Sequence, residues 1–366
     1  MNNNFTIKIL TPVHIGSGES AMKNVDFLYF STEGKAAVLD QKKVLSVISE
    51  STSINGDNVE KKEGLEQLLR QYQPAFQVDD VALRILPVRH GGLDKKKDVK
   101  EQLHDGFGKA LLPGSSLKGS IRTALFAHFI NARNGDDVKI SRNLTNNRRI
   151  YSDSALMRQY FGDDPNHDIL RLLRPGDATF LQTACSRTEA LNLKGKNWVL
   201  DPDLVQFVEI IAEGQENGLQ VHIDKTLEKN ASARRYFIND VSVLDDRDFF
   251  KIMNHHTDDL AKREIAFWEE DEGERPEQVD AYLEKLAEIR EQIKNCKPQE
   301  CILRLGWGTG FRNMTGDWHI HMTDNDYYDL VGQLRKTHPN NLLFPKSMRL
   351  LADGTPLGYI KLWKNT

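Results

Sequence analysis

Apolar and polar residues alternate along several short segments of the chain, and such alternation predicts β-strands with one buried face. The first segment, residues 5–10, reads Phe-Thr-Ile-Lys-Ile-Leu and is rich in β-forming residues. It is followed by a Gly-x-Gly stretch at residues 16–18, which is expected to interrupt regular structure. Similar patterns predict strands at residues 26–30, 36–39, 82–88, 179–184, 199–211, 220–224, 301–305 and 358–363.

Other segments carry apolar residues at helical spacing. In residues 116–130 these recur at positions 117, 121, 124, 125, 129 and 130, and Ser115 or Ser116 stands where an N-cap is expected. Helices are also predicted at residues 40–49, 247–263 and 277–293. Residues 91–108 are polar and lysine-rich, which predicts an exposed insertion, and residues 135–149 form a second polar, basic stretch.

Each half of the chain therefore holds strands, helices and one Gly-x-Gly loop. We predict two related α+β domains, residues 1–190 with a basic insertion and residues 191–366 with a helical insertion and a glycine-rich loop. A hydrophobic content of 39% supports a packed core. No apolar run approaches the ~20 residues of a membrane helix and no signal peptide is recognised, so a cytoplasmic location is expected. The three cysteines lack a CxxC spacing, which predicts reduced thiols.

Charge is distributed unevenly along the chain, although the formal net charge is only −4. Residues 84–149 hold 14 Lys and Arg against 6 Asp and Glu, a local net charge of +8. Residues 258–293 hold 5 against 13, a local net charge of −8. A polyanion responds to the local field, so the basic run is compatible with nucleic-acid binding, and the acidic run is interpreted as a solvated face.

The basic run contains a glycine-serine loop that leads into the predicted helix. Residues 112–122 read Leu-Pro-Gly-Ser-Ser-Leu-Lys-Gly-Ser-Ile-Arg. Free backbone N–H groups and the positive end of the helix dipole would be joined by the hydroxyls of Ser115 and Ser116, which suits a phosphate group. Lys118 and Arg122 would add charge from one helix face. The residue order does not match a Walker loop, and an ordinary capped helix start is the alternative.

A second glycine-rich loop, residues 305–312, reads Leu-Gly-Trp-Gly-Thr-Gly-Phe-Arg. Its alternating glycines would let a ligand approach the backbone closely, and Trp307 and Phe311 could stack on bases. Arg312 could pair with a phosphate. The spacing does not match a dinucleotide-binding fingerprint, and the alternative is a tight loop whose glycines are required by packing.

The single residue His14 invites a catalytic interpretation, and the adjacent pair His255 and His256 invites a metal-binding one. His14, within residues 11–19, could act as a general base on an RNA 2′-hydroxyl, but a lone histidine beside a glycine loop is more often structural. His255 and His256 are adjacent and would point to different sides of a helix. Only His255 and Asp259 would share a face, so a surface role is favoured over a metal site.

Five segments resemble those of RAMP-superfamily CRISPR proteins. Residues 11–18 look like the opening segment of that superfamily, and residues 113–122 resemble its Pro-Gly-Ser-Ser-Leu-Lys-Gly helix start. Residues 306–311 are similar to its C-terminal glycine-rich loop. Residues 344–349 and 356–362 look like the fifth-subunit family of type III-A Csm complexes in particular.

The resemblance implies tandem ferredoxin-like, RRM-type RAMP domains with insertions, in a subunit that caps the crRNA 3′ side of a type III-A CRISPR interference complex. It implies a contribution to crRNA maturation by shaping or recruiting a nuclease. The implied partners are the crRNA 3′ region, target RNA, adjacent backbone and small subunits, and host nucleases, with no cofactor, metal or membrane. The residues expected to bind RNA are His14, Gly16, Gly18, Gly114, Ser115, Ser116, Lys118, Gly119, Arg122, Gly306, Gly308, Gly310, Arg312, Lys346 and Arg349.

One departure from the family pattern concerns catalysis. The backbone subunit of such complexes carries a target-cleaving aspartate in a Gly-Asp-Asn-Pro context, whereas Asp26 lacks that context here. The chain is therefore predicted not to be an enzyme. Two alternatives stay open: a metal-independent endoribonuclease that processes crRNA with His14 as base, and a purely protein-binding cap with the helix at residues 277–293 as its docking face.

Overall fold

The computed structural model describes residues 2–49, 65–93, 98–132, 142–145, 148–151, 154–224, 237–316, 318–322, 324–335 and 345–365. The predicted mixed α+β class is confirmed. The strands are β1 (Asn2–Ile9), β2 (Gly16–Ala21), β3 (Phe27–Phe30), β4 (Lys35–Leu39), β5 (Ala82–Arg89), β6 (Val99–Gln102), β7 (Ala110–Leu112), β8 (Arg142–Thr145), β9 (Arg148–Tyr151), β10 (Leu173–Pro175), β11 (Ala178–Phe180), β12 (Thr183–Lys194), β13 (Asn197–Leu200), β14 (Gln206–Ile211), β15 (Glu216–Ile223), β16 (Glu300–Arg304), β17 (Ser347–Leu351) and β18 (Tyr359–Lys364). The α-helices are α1 (Gln41–Ser49), α2 (Leu65–Tyr72), α3 (Val78–Val81), α4 (Gly114–Ala132), α5 (Ser154–Phe161), α6 (Asp246–Glu269), α7 (Gln278–Lys294), α8 (Gly310–Thr315) and α9 (Asp324–Arg335).

A five-stranded antiparallel sheet with the order β10-β15-β1-β18-β16 joins the two ends of the chain. In it Ile7 of β1 lies opposite Leu362 of β18. Phe5, Ile7 and Ile9 alternate with polar residues and are buried, as the pattern predicts. Together with the apolar face of α4, including Ile121, they form part of the largest hydrophobic core.

A larger mixed sheet has the order β2-β6-β14-β12-β5-β4-β3, and β13 and β17 also pair with its long central strand β12. The predicted boundary near residue 190 falls within β12. Both large sheets also contain strands from before and after this position. A division into two domains stays a prediction, and it would have to group discontinuous segments of the chain.

Several sequence-based boundaries differ from the structure. The strand predicted at residues 179–184 comprises β11 and the start of β12, which belong to different sheets, and residues 199–211 contain β13 and β14. The exposed insertion predicted at residues 91–108 is wrong for residues 99–102, since β6 lies in the larger sheet with Val99 and Gln102 buried. Residues 16–18 lie in β2 and do not end regular structure, although the pairing with β6 is irregular between Gly16 and Ser20.

The second basic stretch, residues 135–149, lies outside the described residues apart from the strand segments of β8 and β9. Within the described part of the chain, no helix is both long and apolar enough to cross a membrane. Cys185, Cys296 and Cys301 are free thiols.

Candidate nucleic-acid interface

The glycine-rich loop at residues 306–310 lies directly against the segment that contains His14. The backbone N–H of Trp307 donates to the carbonyl oxygen of His14 over 2.9 Å. Gly306 has a φ of +91°, and a Cβ at this position would lie 2.8 Å from that same oxygen. Both the conformation and the close approach therefore require glycine at residue 306.

The other two glycines of the loop differ in what surrounds them. Gly308 has a φ of +81°, and a Cβ there would lie 2.8 Å from Cδ1 of Leu357. Gly310 also has positive φ, but the space where its Cβ would lie is open. Packing thus accounts for Gly306 and Gly308, and the backbone conformation alone accounts for Gly310.

His14 is 2% exposed and contributes to the internal structure of this region. Its Nδ1 lies 2.6 Å from the carbonyl oxygen of Glu209, and its ring meets the indole of Trp307 edge-on with 5.6 Å between centroids. Burial lowers the pKa of His14, and the nearby Lys100 lowers it further. The imidazole is therefore neutral at neutral pH, and its buried position supports the structural interpretation over that of a general base.

The indole of Trp307 is flanked by two cations. Lys100 Nζ and the guanidinium carbon of Arg349 each lie 5.1 Å from its ring centroid. Arg349 is held in place because Nη1 donates to Oγ1 of Thr188 over 3.0 Å and to the carbonyl of Leu204 over 3.1 Å. Two cations at cation–π distance give this part of the surface a positive potential.

An open cleft of about 520 Å³ lies between the glycine-rich loop and strand β17. Its lining includes Gly306, Gly308, Gly310 and Arg349, together with the exposed Lys346 at the start of β17. The fold thus brings the loop together with two cations that lie about forty residues further along the chain. We call this feature the loop cleft.

Arg312 packs into the protein, whereas Phe311 lines the loop cleft. The guanidinium carbon of Arg312 lies 4.2 Å from the ring centroid of Phe267, and Nη1 donates to the carbonyl of Arg263 over 3.3 Å, so the side chain packs against α6. Phe311 is half-buried with its ring 5.4 Å from that of His319. A phosphate contact by Arg312 stays a prediction and would require this side chain to leave α6.

The start of α4 is tightly capped. The backbone N–H of Gly114 donates to Oδ1 of Asp177 over 2.8 Å. A Cβ at residue 114 would lie only 2.0 Å from the carbonyl oxygen of Pro175, so packing requires glycine here. Because the Asp177 carboxylate already accepts from the first N–H group, fewer backbone donors remain for a phosphate. Ser115 is exposed and Ser116 is half-exposed.

The two cations predicted on α4 have different surroundings. Arg122 forms an ion pair with Asp168, and its guanidinium carbon lies 4.1 Å above the ring of Phe161. Lys118 is half-buried, and burial lowers its pKa. Among the described residues no ion pair to Lys118 is found, so Lys118 is better placed than Arg122 to meet a ligand.

Three other predicted positions are open to solvent. Gly16 is exposed in β2, and a Cβ there would lie 3.3 Å from Nε2 of His14. Gly18 has a φ of +93° with open space around it, and a Cβ on Gly119 would meet nothing within 4 Å. Packing therefore does not explain the glycine at residue 119.

A part-buried hydrogen bond connects helix α4 to the strand that leads into the glycine-rich loop. Oγ of Ser120 on α4 donates to the carbonyl of Arg304 over 2.9 Å, two residues before the glycine-rich loop. Arg304 is itself buried and lies 3.1 Å from Oε2 of Glu264, a pair that the sequence analysis missed. The signal in the sequence was a charged residue at the end of the apolar run of β16.

The two adjacent histidines of α6 differ in their exposure to solvent. His255 Nε2 lies 3.2 Å from Oδ2 of Asp259, and the adjacent His256 is buried, as their positions on a helix predict. Within the described ranges, no group of three or more His, Cys, Asp or Glu side chains is placed to hold a metal ion.

Comparisons with known proteins agree with the motifs. A family model described as the RAMP superfamily matches residues 6–313. A curated protein of Methanocaldococcus jannaschii, described as CRISPR system Cms protein Csm5, is 24% identical over 330 residues, covering 84% of this chain and 71% of that protein.

Two solved structures share the fold. A chain in the cryo-EM structure of a type III-A Csm–crRNA–target RNA ternary complex matches with a TM-score of 0.70 and 20% identity, covering 100% of both chains. The crystal structure of Csm5 from T. onnurineus matches with a TM-score of 0.65 and 20% identity, covering 97% of this chain and 99% of that one. The similarity is thus to the whole chain, including both glycine-containing segments.

Proposed function

Because the chain belongs to the RAMP superfamily, we propose that it is a non-catalytic RNA-binding subunit of a type III-A CRISPR effector complex, located at the 3′ side of the crRNA. The similarity to Csm5 and to a chain of a Csm–crRNA–target RNA complex supports membership of such a complex. The proposal includes tandem ferredoxin-like domains, each of which would group segments from before and after residue 190.

The loop cleft is the observation that carries the RNA-binding part of the proposal. A glycine-rich backbone, the indole of Trp307 and the cations Arg349 and Lys346 line one open surface. A single strand of RNA needs these features, since its phosphates seek cations and its bases stack on aromatic rings. The glycines permit the close approach that bulkier side chains would prevent.

The exposed end of α4 supplies a second contact in this proposal. Lys118 and the hydroxyl of Ser115 would meet phosphates, and the open position at Gly119 would allow the RNA backbone to approach the helix. The contact between Ser120 and Arg304 connects this helix to the glycine-rich loop. We therefore infer that one RNA strand contacts both surfaces.

The partners follow from the comparisons and from the resemblance. The similar ternary complex is one of Csm with crRNA and target RNA, which supports both RNAs and other Csm subunits as partners of this chain. Recruitment of a host nuclease during crRNA maturation rests on the resemblance of the motifs alone.

Replacing both Lys118 and Lys346 by alanine is expected to weaken crRNA binding about tenfold at physiological salt. Each lysine would neutralise one phosphate, so the slope of log affinity against log salt should decrease by about 1.4 for a single strand. Arg122 is left unchanged because its removal would also leave Asp168 without its partner. Fluorescence anisotropy with a labelled crRNA 3′ fragment over a range of salt concentrations measures both quantities.

A matched control removes two lysines from the acidic surface. Lys285 and Lys294 on α7 pair with Glu288 and Glu291 and are part-exposed. Their double alanine variant should keep the affinity and the salt slope of the unmodified chain. Equal slopes of log affinity against log salt for the unmodified chain and for both double variants would contradict the phosphate contacts. Assembly into the complex without any affinity for free RNA would favour the protein-binding cap instead.

The endoribonuclease alternative makes a separate prediction. We expect no discrete cleavage of labelled repeat RNA by the purified chain in EDTA, because the buried His14 is held by the Glu209 carbonyl and a base must come within about 3 Å of its proton. Gel analysis of the RNA over several hours tests this. Discrete cleavage that disappears in His14→Ala would establish the enzyme and refute the non-catalytic proposal.

A further inference from the structure

A tight turn at residues 105–109 presents a phenylalanine to solvent. Phe107 is 91% exposed. The turn is held by Asp105, whose Oδ1 accepts from the backbone N–H groups of Phe107 and Lys109, each over 2.9 Å. The flanking residues Gly106 and Gly108 have no side chain that could cover the ring. The hydrogen bonds to Asp105 fix the backbone of the turn, and the aromatic side chain that the turn carries is uncovered.

A second exposed apolar residue lies on the adjacent turn. Strands β7 and β11 are paired with Ala110 opposite Phe180, which places Leu181 beside the turn that carries Phe107. Leu181 is 80% exposed. Its turn is fixed by Gln215, whose Oε1 accepts from the N–H of Gln182 over 2.9 Å and whose Nε2 donates to the carbonyl of Gln182 over 2.6 Å.

The two turns border a cleft of about 270 Å³ against β5, and the charged groups that line it are paired within the protein. Arg84 holds Glu209 through Nε and Nη2 over 3.1 and 3.0 Å, and Nε2 of His104 lies 3.2 Å from the same carboxylate. Arg89 pairs with Glu213 over 2.9 Å. The cleft thus offers apolar contact with little attraction for a phosphate.

We propose that Phe107, Leu181 and this cleft form a docking edge for a neighbouring protein subunit that presents apolar side chains. The inference rests on the proposed function, which places the chain in a multi-subunit complex. Neighbouring exposed apolar side chains that form a patch mark an interaction site, and little backbone ordering entropy is lost when residues on fixed turns bind. Internal pairing of the charges favours a protein over an RNA as the occupant.

The variants Phe107→Ser and Leu181→Ser, singly and together, test the docking edge. Each is co-expressed with the crRNA and the other subunits of the complex, and the amount that co-purifies with a tagged neighbouring subunit is measured. We expect the double variant to co-purify at least tenfold less than the unmodified chain. Its melting temperature and its affinity for free crRNA should be unchanged, because both side chains are exposed.

Leu45→Ser is the matched control, since Leu45 is 63% exposed on α1 and lies outside the docking edge. It should assemble like the unmodified chain. Normal assembly of the double variant would overturn the inference. A loss of free-RNA affinity as large as the loss of assembly would also overturn it, because the edge would then bind RNA. If the unmodified chain does not co-purify with the complex, the proposed function fails and the inference with it.

Discussion

Replacing Glu264 by alanine is expected to lower the free energy of unfolding by about 3–5 kcal/mol, because it leaves the buried guanidinium of Arg304 without its counterion. Arg304 is 3% exposed and lies 3.1 Å from Oε2 of Glu264. Its Nε donates to the carbonyl of Leu357 over 3.0 Å, and its guanidinium carbon lies 4.9 Å from the ring of Tyr359. The hydroxyl of Tyr282 donates to the same carboxylate. Chemical denaturation at neutral pH measures the change.

The control for this variant is a partly exposed ion pair that also involves α6. Nε of Arg290 on α7 lies 2.7 Å from Oδ1 of Asp258 on α6, with side chains 28% and 29% exposed. Asp258→Ala should cost at most about 1 kcal/mol, since water can solvate the remaining guanidinium. If Glu264→Ala costs no more than Asp258→Ala, the buried network does not stabilise the fold as we infer.

The network matters for function because it lies beneath the loop cleft. Directly after Arg304, the N–H of Leu305 donates to the carbonyl of Gly358 over 2.9 Å, and the N–H of Gly358 donates to that of Pro12 over 2.9 Å. The buried cation therefore anchors the strand from which the glycine-rich loop departs and the segment that leads to His14. Buried electrostatics and the backbone hydrogen bonds of the loop therefore act together to fix the candidate RNA surface.

Apolar residues predicted several of the regular elements. Strands β1, β3, β4, β16 and β18 and helices α1, α4 and α7 were predicted near their observed positions. β1 shows alternation with one buried face, whereas β3, β4 and β16 are short apolar runs that are buried almost throughout. β6 was missed because its residues Val-Lys-Glu-Gln are mostly polar, and the pairing with β2 and β14 places it in the sheet regardless of composition.

The candidate site was predicted only in part, because sequence spacing does not reveal what faces a side chain. The helical spacing of Lys118 and Arg122 was correct, but Asp168, which engages Arg122, lies 46 residues away. Arg312 likewise packs on Phe267 of a distant helix. For the buried pair of Arg304 and Glu264 the sequence carried only an indirect signal. Glu264 shares the buried stripe of α6 with Leu260, and a carboxylate in such a stripe needs a buried partner.

Lowering the pH from 7 to 5 is expected to reduce the free energy of unfolding by about 2–4 kcal/mol. Two buried histidines whose pKa values are strongly lowered account for most of this. Burial, reinforced by the charge of Arg263, lowers the pKa of His256 to about 4. Burial, reinforced by Arg312 and Arg263, lowers the pKa of His319 to about 4. Both would titrate near 6.5 in the unfolded chain.

The sign follows from proton uptake. Between pH 6.5 and 4 the unfolded chain binds more protons than the folded one, so stability rises with pH across this window. The part of the unfolding free energy that depends on these two histidines is fully present above pH 6.5 and is lost as the pH falls toward 4. Asp353, whose pKa is lowered to about 2 despite partial burial through its hydrogen bond with His90, acts mainly below pH 4 and contributes little between pH 5 and 7.

The decisive measurement is the difference in unfolding free energy between pH 7 and pH 5, obtained by denaturant titration of the full chain. The double variant His256→Gln and His319→Gln should lose most of this difference, because neither replacement can be protonated in this range. His255→Gln should retain it, since that side chain is 72% exposed. A pH difference that survives in the double variant would assign acid sensitivity to other groups, and would mean that the two buried histidines titrate in the folded chain much as they do in the unfolded one.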